Sequence, residues 1–237
     1  MNIFPAIDLF QGKAVRLYKG DYAQMTVYSD NPPEIARDFL NKGAKFIHLV
    51  DLEGAKSGKP ENLETIKRII ETGDLFVEVG GGIRSVDTIE AYLSIGVNRV
   101  ILGTAAVTDP DFLKEALERY GEKIAVGVDI KDGFVAIKGW TEKSQLTAED
   151  FFVQMEKLGV STVICTDISK DGAMQGTNRE LYRLLSSKYS IRIIASGGVS
   201  SMEDIRQLRE MDLYGAIIGK AYYVGAIDLK EAIEVAV

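Results

Sequence analysis

Two aspartates, Asp8 in IDLFQG and Asp129 in VDIKDG, and two glycine pairs, Gly81-Gly82 and Gly197-Gly198, are the residues whose types and spacing fit chemistry. Two carboxylates facing one another across a ligand can divide proton transfer between them. One must be charged to accept a proton and the other protonated to donate it, so burial or hydrogen bonding has to raise one pKa. A Gly-Gly turn lets backbone N–H groups approach an anion closely, and a Gly-Thr or Gly-Lys step that opens a helix adds donors and a partial positive charge. Gly103-Thr104 follows the first glycine pair and Gly219-Lys220 follows the second, at identical spacing. A single Gly-Gly is as often plain turn punctuation. Two pairs, each with its Gly-led partner, favour two anion sites and therefore a substrate with two phosphates.

Something regular has to place these residues. Short β-rich apolar runs alternate with amphipathic segments along the chain, and strand candidates cover 2–8, 45–51, 75–79, 98–103, 123–129, 161–167, 191–196 and 214–219. Between them, 61–71 carries Leu63, Ile66, Ile69 and Ile70 at the helical period, and 110–119 reads the same way. Thr108-Asp109 before Pro110, Thr147 three residues before Asp150, and Ser201 three before Asp204 are helix-start signals. Eight such units close into a (β/α)8 barrel or lie open as a doubly wound sheet, and periodicity does not choose.

An internal repeat does choose. At an offset of 116 residues GGVSSMEDI (197–205) falls on GGIRSVDTI (81–89), and IIGKA (217–221) on ILGTA (101–105). Asp167 falls on Asp51, Asn178 on Asn62 and Glu180 on Glu64; a slightly different offset pairs Asp129 with Asp8 and Gly133 with Gly12. A four-plus-four repeat fits a closed ring of two half-barrels, one domain over 1–237, better than an open sheet with a switch point. In a barrel the C-terminal strand ends build the site. There stand Asp8, Asp51, both glycine pairs, Gly103-Thr104, Asp129, Thr166 with Asp167, and Gly219-Lys220. The first and fifth strands oppose one another, so Asp8 and Asp129 would face across the mouth.

The remaining chemistry-bearing residues allow plainer readings. Thr166 can orient a substrate oxygen or simply pack at a strand end. Asp51 and Asp167, at matched positions, fit loop braces. His48, the one histidine, cannot make a metal site alone; it is a core histidine or a ligand contact. Cys165, without a histidine partner in sequence, reads as structural. A single cysteine gives neither a disulfide framework nor a zinc cluster, and a reducing cytoplasm is the natural expectation. Trp140, in KGW, stacks on a flat heterocycle or covers the core. The net charge of −7 argues against nucleic acid as a partner. No apolar stretch approaches a membrane span, and the N-terminus reads as a strand, not a signal peptide. The long Gly-bearing segments 16–30 and 131–146 are expected to fold over a ligand and exclude water.

Taken in order, PAIDLFQGKAVRLYKGD (5–21), IHLVDLEGA (47–55), VGGGIRS (79–85), GVDI with KGW, TDISKDGAMQG (166–176) and ASGGVSS (195–201) closely resemble the HisA family of histidine-biosynthesis isomerases. Those enzymes act on phosphoribosylformimino-aminoimidazole carboxamide ribotide. The resemblance runs the full length and implies an Amadori rearrangement of an aminoaldose to an aminoketose, with no metal or organic cofactor and a small bis-phosphorylated ribotide as partner. A cytoplasmic monomer is expected. It assigns the proton acceptor to Asp8, the donor to Asp129 and an assisting role to Thr166. Family phosphate contacts fall on Gly81, Gly82, Gly103, Thr104, Gly176, Gly198, Gly219 and Lys220, with Gly197 beside them. Arg84 and Trp140 match positions that face substrate; His48 and Lys19 are further candidates. Ala173-Met174 departs from the Thr-Leu common in relatives, which should alter loop packing more than chemistry.

Three other readings share features. The cyclase subunit of imidazole glycerol phosphate synthase has the same repeat, aspartates and phosphate sites, but KGW and FQGKAVRLYKGD favour the isomerase. A bifunctional relative also isomerises phosphoribosylanthranilate, and Lys138-Gly139-Trp140 does not exclude that activity. A non-catalytic phosphosugar-binding protein would have no use for both Asp8 and Asp129.

Overall fold

The computed structural model describes residues 1–18, 20–137 and 142–237. In chain order the elements are β1 (Asn2–Phe10), β2 (Lys13–Tyr18), β3 (Asp21–Ser29), α1 (Pro32–Asn41), β4 (Phe46–Asp51), α2 (Leu52–Ser57), α3 (Leu63–Ile70), β5 (Phe76–Gly80), α4 (Val86–Ser94), β6 (Arg99–Leu102), α5 (Thr104–Thr108) and α6 (Pro110–Tyr120). The second half supplies β7 (Ile124–Lys131), β8 (Phe134–Ile137), β9 (Glu142–Thr147), α7 (Ala148–Lys157), β10 (Thr162–Asp167), α8 (Arg179–Lys188), β11 (Arg192–Ser196), α9 (Met202–Glu210), β12 (Gly215–Ile218), α10 (Lys220–Tyr223) and α11 (Leu229–Ala236).

Eight of these strands pair in parallel around a closed ring, β1–β4–β5–β6–β7–β10–β11–β12, and the ring closes where Asn2 of β1 lies opposite Gly215 of β12. The helices cover the outside, so the fold is the (β/α)8 barrel that the repeat implied. Helix starts are fixed locally: Asp109 accepts from the Phe112 N–H at 3.0 Å with Pro110 behind it, and Ser201 with Asp204 forms a full capping box at α9.

Alternation along β1 separates two cores. Phe4 and Ala6 point inward and join Ile101, Ala125, Ile164, Ile194 and Ile217 in a small cluster inside the ring. Ile3, Ile7 and Leu9 point outward into the larger core between strands and helices. The floor of the ring is closed by aromatic rings, Phe4 against Phe46 at 4.8 Å, Phe46 against Phe76 at 5.4 Å and Phe4 against Tyr214 at 6.4 Å. The open end is the C-terminal one.

The two segments expected to fold over a ligand carry hairpin strands among their described residues. β2 folds back on β1 with Asp8 opposite Val15 and continues into β3; β8 folds back on β7 with Asp129 opposite Ala136 and continues into β9. The cause is local. Gln11-Gly12 and Asp132-Gly133 each place two consecutive residues at positive φ, the backbone that a two-residue hairpin turn requires. No described helix is long and apolar enough to cross a membrane.

Candidate active site

The inward face that begins with Phe4 and Ala6 continues to Asp8 at the mouth of the ring. On the opposite side Ile164 is followed two residues later by Thr166, which lies in register with Asp129 on the neighbouring strand. In the ring order β1 and β7 stand four places apart in either direction. The barrel therefore presents Asp8 on one side of its mouth and Asp129 beside Thr166 on the other.

Asp8 carries a partner that the sequence reading did not single out. Because β2 returns antiparallel with Val15 opposite Asp8, the next residue, Arg16, reaches back, and its Nη1 donates to Asp8 Oδ1 at 2.9 Å. Both side chains are about 15% exposed. Burial pushes the Asp8 carboxyl above the ordinary aspartate value; the Arg16 charge opposes this, Asp171 adds to it, and His48 weakly opposes it. Asp171, from TDISKDG, also acts on Arg16, so the loop after β10 brings a third carboxylate to this side of the site. The other arm of the Arg16 fork lies against Gly219, where a Cβ would overlap Nη2.

The glycine pairs have a structural cause as well as a candidate chemical one. Gly81 and Gly82 have φ of 121° and 71°, and Gly197 and Gly198 both have 85°. A Cβ on Gly81 or Gly82 would overlap the carbonyl oxygens of Asp51 and Gly54; on Gly197 or Gly198 it would press on those of Asp167 and Gly176. Each pair thus lets its loop lie directly on the loop after the preceding barrel strand. Gly176, at φ 80°, also donates its N–H to Ser200 Oγ at 3.2 Å. Gly103 differs: nothing lies within 4 Å of its Cβ position.

The matched aspartates brace those loops. Asp51, fully buried, accepts from Gly54 N at 2.8 Å, Asn62 Nδ2 at 2.8 Å, Glu61 N at 2.9 Å, Tyr92 OH at 2.9 Å and Asn62 N at 3.0 Å. Asp167 accepts from Asn178 Nδ2 and Ser169 Oγ at 2.6 Å and from Ser169 N at 2.9 Å. The repeat seen in sequence is therefore a repeated contact, since each aspartate holds the asparagine eleven residues on.

Of the other candidates, Lys220 donates from Nζ to Gly172 O at 3.1 Å, tying α10 to the loop after β10. Thr104 opens α5 directly after Gly103. Arg84 is exposed and donates to Ala55 O at 3.0 Å, so it lies along α2. Met174 sits at φ 55° and packs on the outer core. Cys165 is buried, and burial pushes its thiol far above the usual range. Trp140, with the rest of KGW, and Lys19 lie outside the described residues.

His48 points into the ring. It stands level with Ala6 on β1 and Glu78 on β5, and its Nδ1 lies 2.7 Å from Glu78 Oε1. Glu78 Oε2 accepts from Arg99 Nη2 at 2.5 Å and Nε at 3.0 Å. Glu78 and Arg99 are buried, while 12% of the His48 side chain is accessible.

Fold and mouth together define a (β/α)8-barrel of two half-barrels whose C-terminal face carries two opposed aspartates between duplicated glycine loops. The chain matches the family described as histidine biosynthesis protein over residues 2–228, and it belongs to that family. Curated relatives carry the name 1-(5-phosphoribosyl)-5-((5-phosphoribosylamino)methylideneamino)imidazole-4-carboxamide isomerase. The one from Lactococcus lactis subsp. cremoris strain SK11 is 55% identical over 98% of this chain and 95% of its own length. That of Oceanobacillus iheyensis is 50% identical over 99% and 98%, and that of Thermodesulfovibrio yellowstonii 51% identical over 99% and 97%.

Proposed function

We propose that this chain is an aldose–ketose isomerase that converts the bis-phosphorylated aminoaldose ribotide named in its relatives to the corresponding aminoketose, with Asp8 and Asp129 as base and acid. The observation that carries a paired acid and base is the placement of Asp8 and Asp129 on opposed strands at the same end of the ring; which of them accepts and which donates follows from the family resemblance.

The chemistry proceeds by proton movement alone. Asp129, protonated, gives its proton to the furanose ring oxygen as the C1–O bond breaks; the glycosylamine nitrogen supplies the electron pair, and a protonated Schiff base forms. Asp8 then removes the C2 proton, and the C2–H electrons neutralise the iminium as an enolamine. Proton return to C1 with loss of the enol proton gives the ketose. Arg16 supports the acceptor role, because it donates to Oδ1 and leaves Oδ2 to take the proton. Burial that makes Asp8 a stronger base than an ordinary aspartate acts in the same direction. Thr166, beside Asp129, assists the donor. The loops bearing Gly81-Gly82 with Gly103-Thr104, and Gly176, Gly197-Gly198 with Gly219-Lys220, hold one phosphate each.

The test uses purified protein and the aminoaldose, following absorbance with a coupled synthase, with phosphoribosylanthranilate run alongside. Wild type turns over the first substrate. Asp8→Asn and Asp129→Asn each lose on the order of 10²- to 10⁴-fold in kcat while ligand affinity stays within a few-fold. Wild type that binds the ribotide and never converts it would refute the enzyme reading. Turnover of phosphoribosylanthranilate would extend the activity to a second substrate.

A further inference from the structure

A carboxylate and a guanidinium buried in the barrel interior need a reason to be there, because both lose water on burial. Glu78 and Arg99 stand side by side on β5 and β6, and Arg99 lies among the rings of Phe4, Phe76 and Tyr214 at the floor of the ring. Arg99 uses two donors on one oxygen of Glu78. The other oxygen goes to His48, one layer below Asp8 and next to the small side chain of Ala6. The floor beneath is closed by aromatic rings, so the accessible edge of the imidazole faces the mouth.

We propose that Glu78, clamped by Arg99, is a positioning residue that holds His48 with its proton on Nδ1, so that Nε2 offers a lone pair to a hydroxyl or N–H of the substrate. The donor inventory leaves little choice. A carboxylate only accepts, so the nitrogen 2.7 Å away must donate, and a neutral imidazole then has its acceptor at Nε2. Burial raises the Glu78 pKa, yet the hydrogen bond from His48, with the charge and hydrogen bonds of Arg99 behind it, brings it below the ordinary glutamate value, so Glu78 stays an acceptor. The substrate contact rests on the isomerase reading above, whereas the tautomer does not.

Because His48 is the only histidine in the chain, its ring can be read without assignment. Nitrogen-15 spectra of wild type at the pH of the activity assay should show one protonated nitrogen at Nδ1 and a lone-pair nitrogen at Nε2. A proton on Nε2, or an imidazolium throughout, would overturn the proposal while leaving the isomerase reading intact. Glu78→Gln then tests the clamp. Arg99 can only donate, so it takes the amide oxygen, and the amide NH2 is left facing Nδ1. The imidazole must move its proton to Nε2, and kcat/KM for the aminoaldose should fall on the order of 10- to 100-fold, the size of loss seen when a metal-bound histidine loses its orienting carboxylate. A flipped tautomer with unchanged kcat/KM refutes the substrate contact. If that variant does not fold, titrating the aminoketose product into wild type decides: the Nε2 resonance must move, and an unmoved one refutes the contact. Failure of wild type to turn over substrate would sink the isomerase reading without altering the tautomer.

Discussion

Arg16 Nη1 lies 2.9 Å from Asp8 Oδ1, and the other arm of the same guanidinium rests on Gly219, so one side chain joins the candidate base to the loop that follows the last barrel strand. Burial raises the Asp8 pKa and Arg16 opposes the rise, so removing Arg16 must raise it further. Asp8 acts as base only when ionised. The acid limb of the kcat/KM profile should therefore move to higher pH in Arg16→Met, with a larger loss at pH 6 than at pH 9. Gly219→Ala should act similarly, because a methyl there displaces the far end of a flexible side chain and touches no backbone. Its stability should fall by about 1–3 kcal/mol, because the displaced guanidinium leaves a largely buried carboxylate without its donor. A profile unchanged in both variants would remove Arg16 from the control of Asp8.

The two loop braces should differ in weight. Asp51 is fully buried and accepts five hydrogen bonds, whereas Asp167 accepts three. Asp51→Asn turns an NH2 group toward donors and should cost about 3 kcal/mol; Asp167→Asn should cost about half of that. Urea denaturation reads both. Equal losses would mean that the repeat shares its energetics as well as its pattern.

The architecture was legible because a parallel barrel writes each strand as a short apolar run and because the 116-residue repeat survives in the loops. The hairpins after β1 and β7 were signalled by Gln11-Gly12 and Asp132-Gly133, but neither β2 nor β3 has the clean apolar alternation of a strand that buries one face; β3 is largely exposed. Arg16 was hidden for the same reason, since only the fold-back of β2 puts it next to Asp8. His48 could point inward or outward until its register with Ala6 was known. Nothing in the sequence singles out Glu78 and Arg99, because their pairing joins two strands 21 residues apart and is invisible to any local pattern.

Glu78 makes a prediction about acid unfolding, and the sign follows from its depressed native pKa. Below the ordinary glutamate value of 4.5 the unfolded chain takes up a proton before the native site does. The stability that Glu78 contributes is therefore complete above that value and is lost as pH falls through the native pKa. Between pH 4.5 and 3, Glu78→Gln should lose stability less steeply than wild type, by up to about 1.4 kcal/mol per pH unit, the limit for one proton. Asp8, whose native pKa is raised, works in the opposite sense over the range above 3.8. Urea midpoints at half-unit pH intervals check this, and parallel curves would mean that Glu78 is protonated early in the native state.

Alanine at three glycines separates turn punctuation from anion binding. At Gly82 and Gly198 a methyl meets the carbonyl oxygens of Gly54 and Gly176 at positive φ, so the backbones must part. Left-handed strain alone costs about 1–2 kcal/mol, and loss of stability together with a higher KM is expected whatever binds there. Gly103 is the discriminating position. Its φ is −92° and nothing stands within 4 Å of the added carbon, so Gly103→Ala should leave the thermal midpoint nearly unchanged. If a phosphate packs against that backbone, the methyl occupies its place and KM for the bis-phosphorylated substrate should rise about tenfold, equivalent to roughly 1.4 kcal/mol, with kcat little altered. A normal KM in a fully stable Gly103→Ala protein would move the phosphate elsewhere and leave the glycine as turn chemistry alone.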